Sequence, residues 1–280
     1  MAVEPARVVA RGQRSVSPSR SHAISIDRVS KTFVTRAGAP VEALRNVDVQ
    51  IKAGEFVSLV GRSGCGKSTL LNIVAGLMEP SQGSITVGGE AISGPRADIG
   101  YMQQDAVMLP WRTVMENIKL PMEVGDPVPN KEHVLERIHE MLDTVHLGSF
   151  RDSHPWELSG GMQQRAALVR TLAYEPRVLL MDEPFGSLDE FTREAMNIEL
   201  LRLWQGSGIT VILVTHSALE AVFLSDRVVT LSPRPGQILE DVRVELPRPR
   251  LSEMLFSPEL TEHVKRVRDV LGLEKPEEHR

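Results

Sequence analysis

The stretch Gly61-Arg62-Ser63-Gly64-Cys65-Gly66-Lys67-Ser68-Thr69 constrains this chain more than any other. An apolar run, Phe56-Val57-Ser58-Leu59-Val60, precedes it, and a run rich in Leu, Ile and Val, from Leu70 to Leu77, follows. The pattern predicts a strand, a glycine loop and a helix in succession, which is the setting of a phosphate-binding loop. Glycines at 61, 64 and 66 let the backbone turn sharply and aim successive N–H groups inward, and the N-terminus of the helix adds partial positive charge. A triphosphate fits that cradle, with Arg62, Ser63, Cys65 and Thr69 completing its wall. Lys67 is then expected to reach the β- and γ-phosphates, and the Ser68 hydroxyl to ligate Mg²⁺.

Charge and composition narrow the setting. With 32 basic and 37 acidic residues the formal charge is −5, which gives no general electrostatic reason to bind nucleic acid. At 280 residues the chain has ample apolar content for a core. No apolar run approaches the roughly 18 to 20 residues of a membrane-spanning helix, so a soluble protein able to dock on a membrane partner is expected. Cys65 is the only cysteine, which excludes an intrachain disulfide. It is read either as a small residue in a crowded loop or as a modifiable thiol at a helix start. Residues 1–22 carry Arg7, Arg11, Arg14 and Arg20 among serines without an apolar export segment, and are expected to form a disordered tail.

Along the chain, Ile24-Ser25-Ile26 and Val47 to Ile51 alternate like half-buried strands around a bend at Gly38 to Pro40. Phe33, just upstream of the phosphate loop, is either a packed aromatic or one that stacks on a base. Ser84 to Val87 reads as a strand entering a tight turn at Gly88-Gly89, and Ile99 to Met102 as a strand leading to Gln103-Gln104. Pro121, Gly125, Pro127 and Pro129 suggest a broken linker. After it, Asn130 should cap an amphipathic helix with Val134, Ile138, Met141, Leu142 and Val145 on its apolar face. His133, His139, His146 and His154 lack the i, i+4 spacing of a metal pair, so surface histidines are expected. Ser159 opens the next helix as N-cap. Gly160 and Gly161 leave its first N–H groups uncovered, a second anion-binding helix start.

The unbroken apolar strand Val178 to Met181 ends in Asp182-Glu183-Pro184, where parallel sheets bind ligands. Consecutive side chains on a strand point in opposite directions. Asp182 is therefore assigned to Mg²⁺ and Glu183 to the attacking water. A further buried strand, Thr210 to Val214, ends at Thr215-His216, which places His216 for a γ-phosphate contact. Arg227 to Leu231 is the last core strand expected. After the extended Leu246-Pro247-Arg248-Pro249-Arg250, Ser257 should cap a helix striped by Leu260, Val264, Val267 and Leu271. That helix is expected to dock on the main body.

Taken together, Gly61 to Thr69, Leu158-Ser159-Gly160-Gly161-Met162-Gln163-Gln164-Arg165, Leu179 to Pro184, Ser187-Leu188-Asp189 and Val214-Thr215-His216 resemble the ATP-binding subunits of ABC transporters from about residue 24 onward. The resemblance implies an α/β fold: a P-loop (RecA-like) nucleotide-binding core with an antiparallel β subdomain and an inserted α-helical subdomain. The cassette is expected over 23–245, its helical subdomain at about 106–164, and a C-terminal extension over 246–280. The resemblance further implies a head-to-tail homodimer with ATP and Mg²⁺ between the phosphate loop of one copy and Ser159, Gly160 and Gly161 of the other.

By the same likeness Glu183 is the general base, His216 the γ-phosphate sensor and Phe33 the adenine-stacking aromatic. Asp189 lies at the dimer interface, and Gln163 and Asp189 join the nucleotide-contacting set. Gln104 touches Mg²⁺ and the water and signals to the membrane partner; its register to Leu109-Pro110-Trp111 favours it over Gln103. Several stretches, among them Leu109 to Val114 and Ser232 to Ile238, look like the branch that imports nitrate, sulfonates and taurine. An integral-membrane permease and, indirectly, an extracytoplasmic solute-binding protein are the implied partners. The implied location is peripheral, on the cytoplasmic face of the inner membrane.

Overall fold

The computed structural model describes residues 21–124 and 130–272. Two sheets organise it. The first is antiparallel with order β2-β1-β4-β5, from β1 (Ile24–Val34), β2 (Pro40–Ile51), β4 (Gln82–Val87) and β5 (Glu90–Ala91). The second, of order β10-β9-β3-β8-β7-β6, contains β3 (Phe56–Gly61), β6 (Ile99–Met102), β7 (Val178–Asp182), β8 (Thr210–Thr215), β9 (Arg227–Leu231) and β10 (Ile238–Arg243). All of its pairings are parallel except that of β10 with β9.

Strands β3 and β8 are buried at every position. Their residues divide by period two between the sheet's faces. Phe56, Leu179, Met181, Val211, Leu213 and Val228 pack toward a helical layer. Val57, Leu59, Leu180, Ile212, Val214 and Val229 pack toward α1 (Lys67–Val74) and the antiparallel sheet. Helix α1 is thus held between two sheets, and the loop preceding it has little freedom to move.

The helical layer contains α2 (Val114–Val124), α3 (Lys131–Thr144), α4 (Gly160–Leu172), α5 (Glu190–Trp204), α6 (Ala218–Leu224) and α7 (Pro258–Val270). Asn130 caps α3 by accepting the His133 N–H, and Val134, Ile138, Met141, Leu142 and Val145 are buried, as their spacing predicts. Pro121 corrects the linker expectation: it lies inside α2. A proline removes one N–H donor from a helix. Here Val114, Met115, Asn117 and Ile118 anchor the helix in the core, and the Tyr174 hydroxyl donates to the Ile118 carbonyl at 2.9 Å. Gly125, Pro127 and Pro129 lie outside the described residues.

The boundaries of the tails also shift. The His22 carbonyl accepts the Thr210 hydroxyl at 2.7 Å, and its ring lies 3.1 Å from the Asp98 carboxylate, so His22 belongs to the folded body. Residues 1–20 and 273–280 lie outside the described residues. Ser257 caps α7, which buries Leu260 and Val267 against the main body. Strand β10 and a 3₁₀ turn at Ser252–Phe256 were not foreseen from the sequence.

The segment before α7 straps down the carboxyl end of α6. Arg248 lies 4.4 Å from the Trp204 ring centre, pairs with Asp226 at 2.8 Å and donates to the Leu224 carbonyl at 2.8 Å. Arg250 donates to the Val222 and Phe223 carbonyls at 2.8 and 2.7 Å. Its burial, reinforced by the neighbouring Arg248 charge, lowers its pKa to about 10. Cations satisfying the last carbonyls of a helix are favoured by both hydrogen bonding and the helix dipole. Arg248→Ala removes the ring contact, the ion pair and a carbonyl partner together. It should destabilise the chain by about 1 to 3 kcal/mol in urea unfolding.

Candidate nucleotide site

The site forms where β3, β7 and β8 end side by side. Val60 pairs with Thr215, and Val214 pairs with Asp182. That register brings the phosphate loop, the 182–183 acids and His216 to one carboxyl edge. This is the edge at which parallel α/β sheets bind ligands.

Gly64 and Gly66 adopt φ of +74° and +106°. A Cβ on Gly66 would lie 2.8 Å from the Ala43 carbonyl oxygen and 2.6 Å from Leu44 Cδ2, so both the turn and the crowding require glycine there. Lys67 is buried, and its Nζ donates to the Gly61 and Arg62 carbonyls at 2.8 and 3.2 Å. The ammonium therefore sits across the loop's own concavity. Cys65 is buried within the same loop, which fits the reading of a small packed residue.

Asp182 and Glu183 are directed to different partners. Ser68 Oγ donates to Asp182 Oδ1 at 3.0 Å. Glu183 has a positive φ of +46°, its N–H donates to the Val214 carbonyl at 2.9 Å, and its Oε2 shares a hydrogen bond of 3.0 Å with His216 Nδ1. A left-handed backbone at a non-glycine residue carries strain and is found often at functional positions. Burial pushes the Asp182 pKa up, aided by the nearby Glu183 charge and opposed by the Ser68 hydrogen bond. Burial likewise raises the Tyr101 hydroxyl to about 12, with the Asp182 charge contributing. A partly buried carboxylate beside a hydroxyl is a set of hard oxygen donors, which suits Mg²⁺.

Ser159 caps α4 by accepting the Met162 N–H at 3.3 Å, and Ser159 and Gly160 are exposed. A Cβ on Gly160 would meet nothing within 4 Å, whereas one on Gly161 would lie 2.9 Å from Thr192 Cγ2. The helix start is open at its tip and packed behind. Gln163 is turned away from that tip, its amide donating to the Pro155 and Leu158 carbonyls at 2.9 and 3.4 Å. Asp189 caps α5 and accepts from the Thr192 N–H and hydroxyl at 3.0 and 2.7 Å, bonds that lower its pKa. Phe33 is partly exposed near the end of β1, with Lys31 Nζ 5.4 Å from its ring centre. Gln103 and Gln104 are both exposed beyond β6. Gln164 Nε2 donates to the Gln104 carbonyl at 2.7 Å and so fixes the backbone at that position.

Two supports escape a reading of the sequence. The turn after β9 presses on the phosphate loop: Arg234 Nε donates to the Gly64 carbonyl at 3.3 Å, and a Cβ on Gly236 would fall 2.1 Å from the Cys65 carbonyl oxygen. The segment from Gln104 to Thr113 is held by Arg170, which donates to the Ala106 and Val107 carbonyls at 2.9 Å each. It is also held by buried Asn117, whose amide bonds to Leu109, Arg112 and Thr113. His133, His139 and His146 are exposed.

A mixed sheet with a phosphate loop after β3 and paired acids at the end of β7 defines a P-loop nucleotide-binding protein. Residues 44–186 match the model of a family described as ABC transporter. A taurine import ATP-binding protein of Roseobacter denitrificans is 44% identical over 222 residues, 79% of this chain and 82% of that protein. An aliphatic sulfonates import ATP-binding protein of Bacillus cereus is 43% identical over 227 residues, 81% of this chain and 88% of that protein. A solved ATP-binding cassette, a dimer in a post-hydrolysis state bound to ADP and Pi, superposes with a TM-score of 0.69 at 31% identity. It covers 80% of this chain and 100% of its own. The chain belongs to the ABC transporter family, and its fold is that of an ABC ATPase.

Two outcomes test this geometry. Gly236→Ala should lower ATP affinity about tenfold or more in equilibrium titration, because the added methyl displaces the Cys65 carbonyl and the loop with it. Asp182 has a folded-state pKa above its unfolded value, so its ionised form costs stability once pH rises through the folded pKa, and below the unfolded value the cost vanishes. Asp182→Asn removes that cost while keeping an acceptor for Ser68. Urea unfolding without nucleotide should find the variant at least as stable as the parent at pH 8, with the difference gone below pH 4.

Proposed function

We propose that this chain is the ATP-hydrolysing subunit of an importer, acting as a homodimer beneath an integral-membrane permease. The observation that carries the reading is the convergence of Lys67, the Ser68–Asp182 pair and the Glu183–His216 pair at one sheet edge. Among the described residues no helix is long and apolar enough to cross a membrane. The cassette is assigned to 23–245, with 106–164 as its helical part and 246–280 as an extension.

In this reading Gly61 to Thr69 hold the triphosphate of ATP, with Lys67 neutralising charge on its β- and γ-phosphates. Phe33 supports the adenine. Ser68 and Asp182 hold Mg²⁺, with Gln104 as a further contact; the ion supplies charge neutralisation at the phosphates. Glu183 Oε2 accepts a proton from water, and His216 holds Glu183 in place through Nδ1 while its other ring nitrogen faces the γ-phosphate. Lys67 leaves the Gly61 and Arg62 carbonyls when a triphosphate enters the loop. The open start of α4 supplies the partner's half of the site: Ser159, Gly160 and Gly161 meet the γ-phosphate bound by the other copy, with Gln163 and Asp189 near the interface.

The Gln104 to Trp111 segment carries the state of the site to the permease. Trp111 is 70% exposed, while Asn117, Arg170 and Gln164 tie the backbone of this segment to α2 and α4. An exposed indole on an anchored loop suits contact with another protein. The solute is proposed to be a small oxyanion such as a sulfonate, taurine or nitrate, delivered by an extracytoplasmic binding protein. Likeness to the taurine and aliphatic sulfonate import subunits supports that choice.

Glu183→Gln should keep ATP binding, give an ATP-dependent dimer in size-exclusion chromatography with light scattering, and lower turnover about 100-fold or more in a phosphate-release assay. Unchanged turnover would remove Glu183 as the base. Lys67→Ala should instead weaken binding of labelled ATP by about tenfold or more, through loss of a point charge at the phosphates.

A further inference from the structure

Gln164 lies in the second turn of α4 and is 3% exposed. Its Nε2 donates to the Gln104 carbonyl at 2.7 Å, while its Oε1 is buried and has no hydrogen-bond partner. A buried acceptor left bare costs at least what one ordinary hydrogen bond returns. An apolar side chain of like size would fill the same space without that cost, so stability alone does not account for an amide here.

The bond that the amide does make falls at a point the sheet no longer controls. Strand β6 ends at Met102, which pairs with Met181, so the Gln104 backbone has left the ladder. Gln164 holds it there from α4. Further along the same helix, Arg170 donates to the Ala106 and Val107 carbonyls at 2.9 Å each. Residues 104–107 therefore hang on α4 by three bonds. Residues 109–113 hang on α2 instead: Asn117 Oδ1 accepts the Leu109 N–H, and its Nδ2 donates to the Leu109, Arg112 and Thr113 carbonyls.

The segment between β6 and α2 is thus clamped in two halves by two helices, and Gln104 belongs to the α4 half. Of the three bonds from α4, that of Gln164 alone acts on the residue whose side chain the nucleotide site uses. Gln164 stands five residues after the Ser159 cap, about 7 Å along the helix axis. The turn between them is stiffened by Gln163, whose amide is bonded to the Pro155 and Leu158 carbonyls.

We propose that Gln164 is a positioning residue of the ATPase reaction: its amide sets the Gln104 backbone so that the Gln104 side chain meets the ion and the attacking water. This deepens the proposed function and rests on its assignment of Gln104. By this bond the glutamine of one site is mounted on the helix whose start serves the other copy's site. A long side chain on a loosened backbone strays from the reacting phosphate, and a misplacement of about 1 Å is enough to slow a reaction steeply. The phosphate loop is untouched, so the link governs turnover rather than ATP affinity.

The test compares the full chain with Gln164→Met, Gln104→Ala and the double variant, measuring phosphate release, labelled-ATP binding and thermal unfolding. Gln164→Met keeps the bulk of the side chain and removes both the donor and the bare acceptor. It should lose about tenfold in kcat with ATP affinity changed less than about twofold. It should also melt within about 3 °C of the parent, because Gln104 is exposed and its carbonyl can turn to water. The double variant should be no slower than Gln104→Ala alone, since Gln164 acts through Gln104. Parental kcat in Gln164→Met beside a slow Gln104→Ala, losses that multiply in the double variant, or a kcat loss matched by lost ATP binding would each overturn the proposal. So would a Gln164→Met chain that melts more than about 3 °C lower or fails to fold, since the amide would then serve stability. Parental kcat in Gln104→Ala removes Gln104 from the site itself, a failure of the proposed function distinct from failure of the Gln164 link.

Discussion

The backbone ladder joining β3, β8 and β7 sets the positions of the phosphate loop, the 182–183 acids and His216. Val60 opposite Thr215 and Asp182 opposite Val214 bring the strand ends level, so the residues that follow them meet. Side chains alternate along a strand, and a slip of one residue would send each to the opposite face. Burial of β3 and β8 on both sides makes such a slip costly, since Leu59 and Val60 pack into different apolar clusters. Apolar residues far from the nucleotide thereby decide where the charged residues stand.

The ladder also explains why the acids divide their work. Asp182 still belongs to β7 and turns toward Ser68. Glu183 has left the strand with a positive φ and turns toward His216. Backbone strain at Glu183 is sustained by its N–H bond to Val214 and by the turn closed between Gly186 and Glu183. The neighbouring segments repeat this pattern of exposed function on a fixed support. Gln104 and Trp111 face outward while Gln164, Arg170 and Asn117 grip their backbone, and Arg193 grips the carbonyls before Asp189.

Much of this was legible before any coordinates. The apolar run before Gly61, the glycine spacing, the capping Ser159 and the acids after Met181 follow from local rules that need only a few neighbouring residues. So do the Asn130 and Ser257 caps. Pro121 misled because a proline's effect on a helix depends on what else holds the helix, here Tyr174 and a buried face. Strand β10 was missed because an edge strand buries only part of itself and its sequence, Ile238 to Arg243, alternates weakly. What Gln163 Nε2 bonds to was equally out of reach of a local pattern: it donates to the Pro155 and Leu158 carbonyls.

The chemistry is written in the residues themselves: a glycine loop that can cradle phosphates, a lysine to meet them, acids at a strand end and a second uncovered helix start. Those properties reside in residue type and short spacing, so they survive without a fold. Which distant residues support them follows from the folded chain. Gly236 against Cys65, Arg234 on Gly64 and Arg248 on Trp204 are contacts across many tens of residues. No local pattern encodes such pairs, because they arise from the way a twisted, doubly covered sheet brings its loops to one edge.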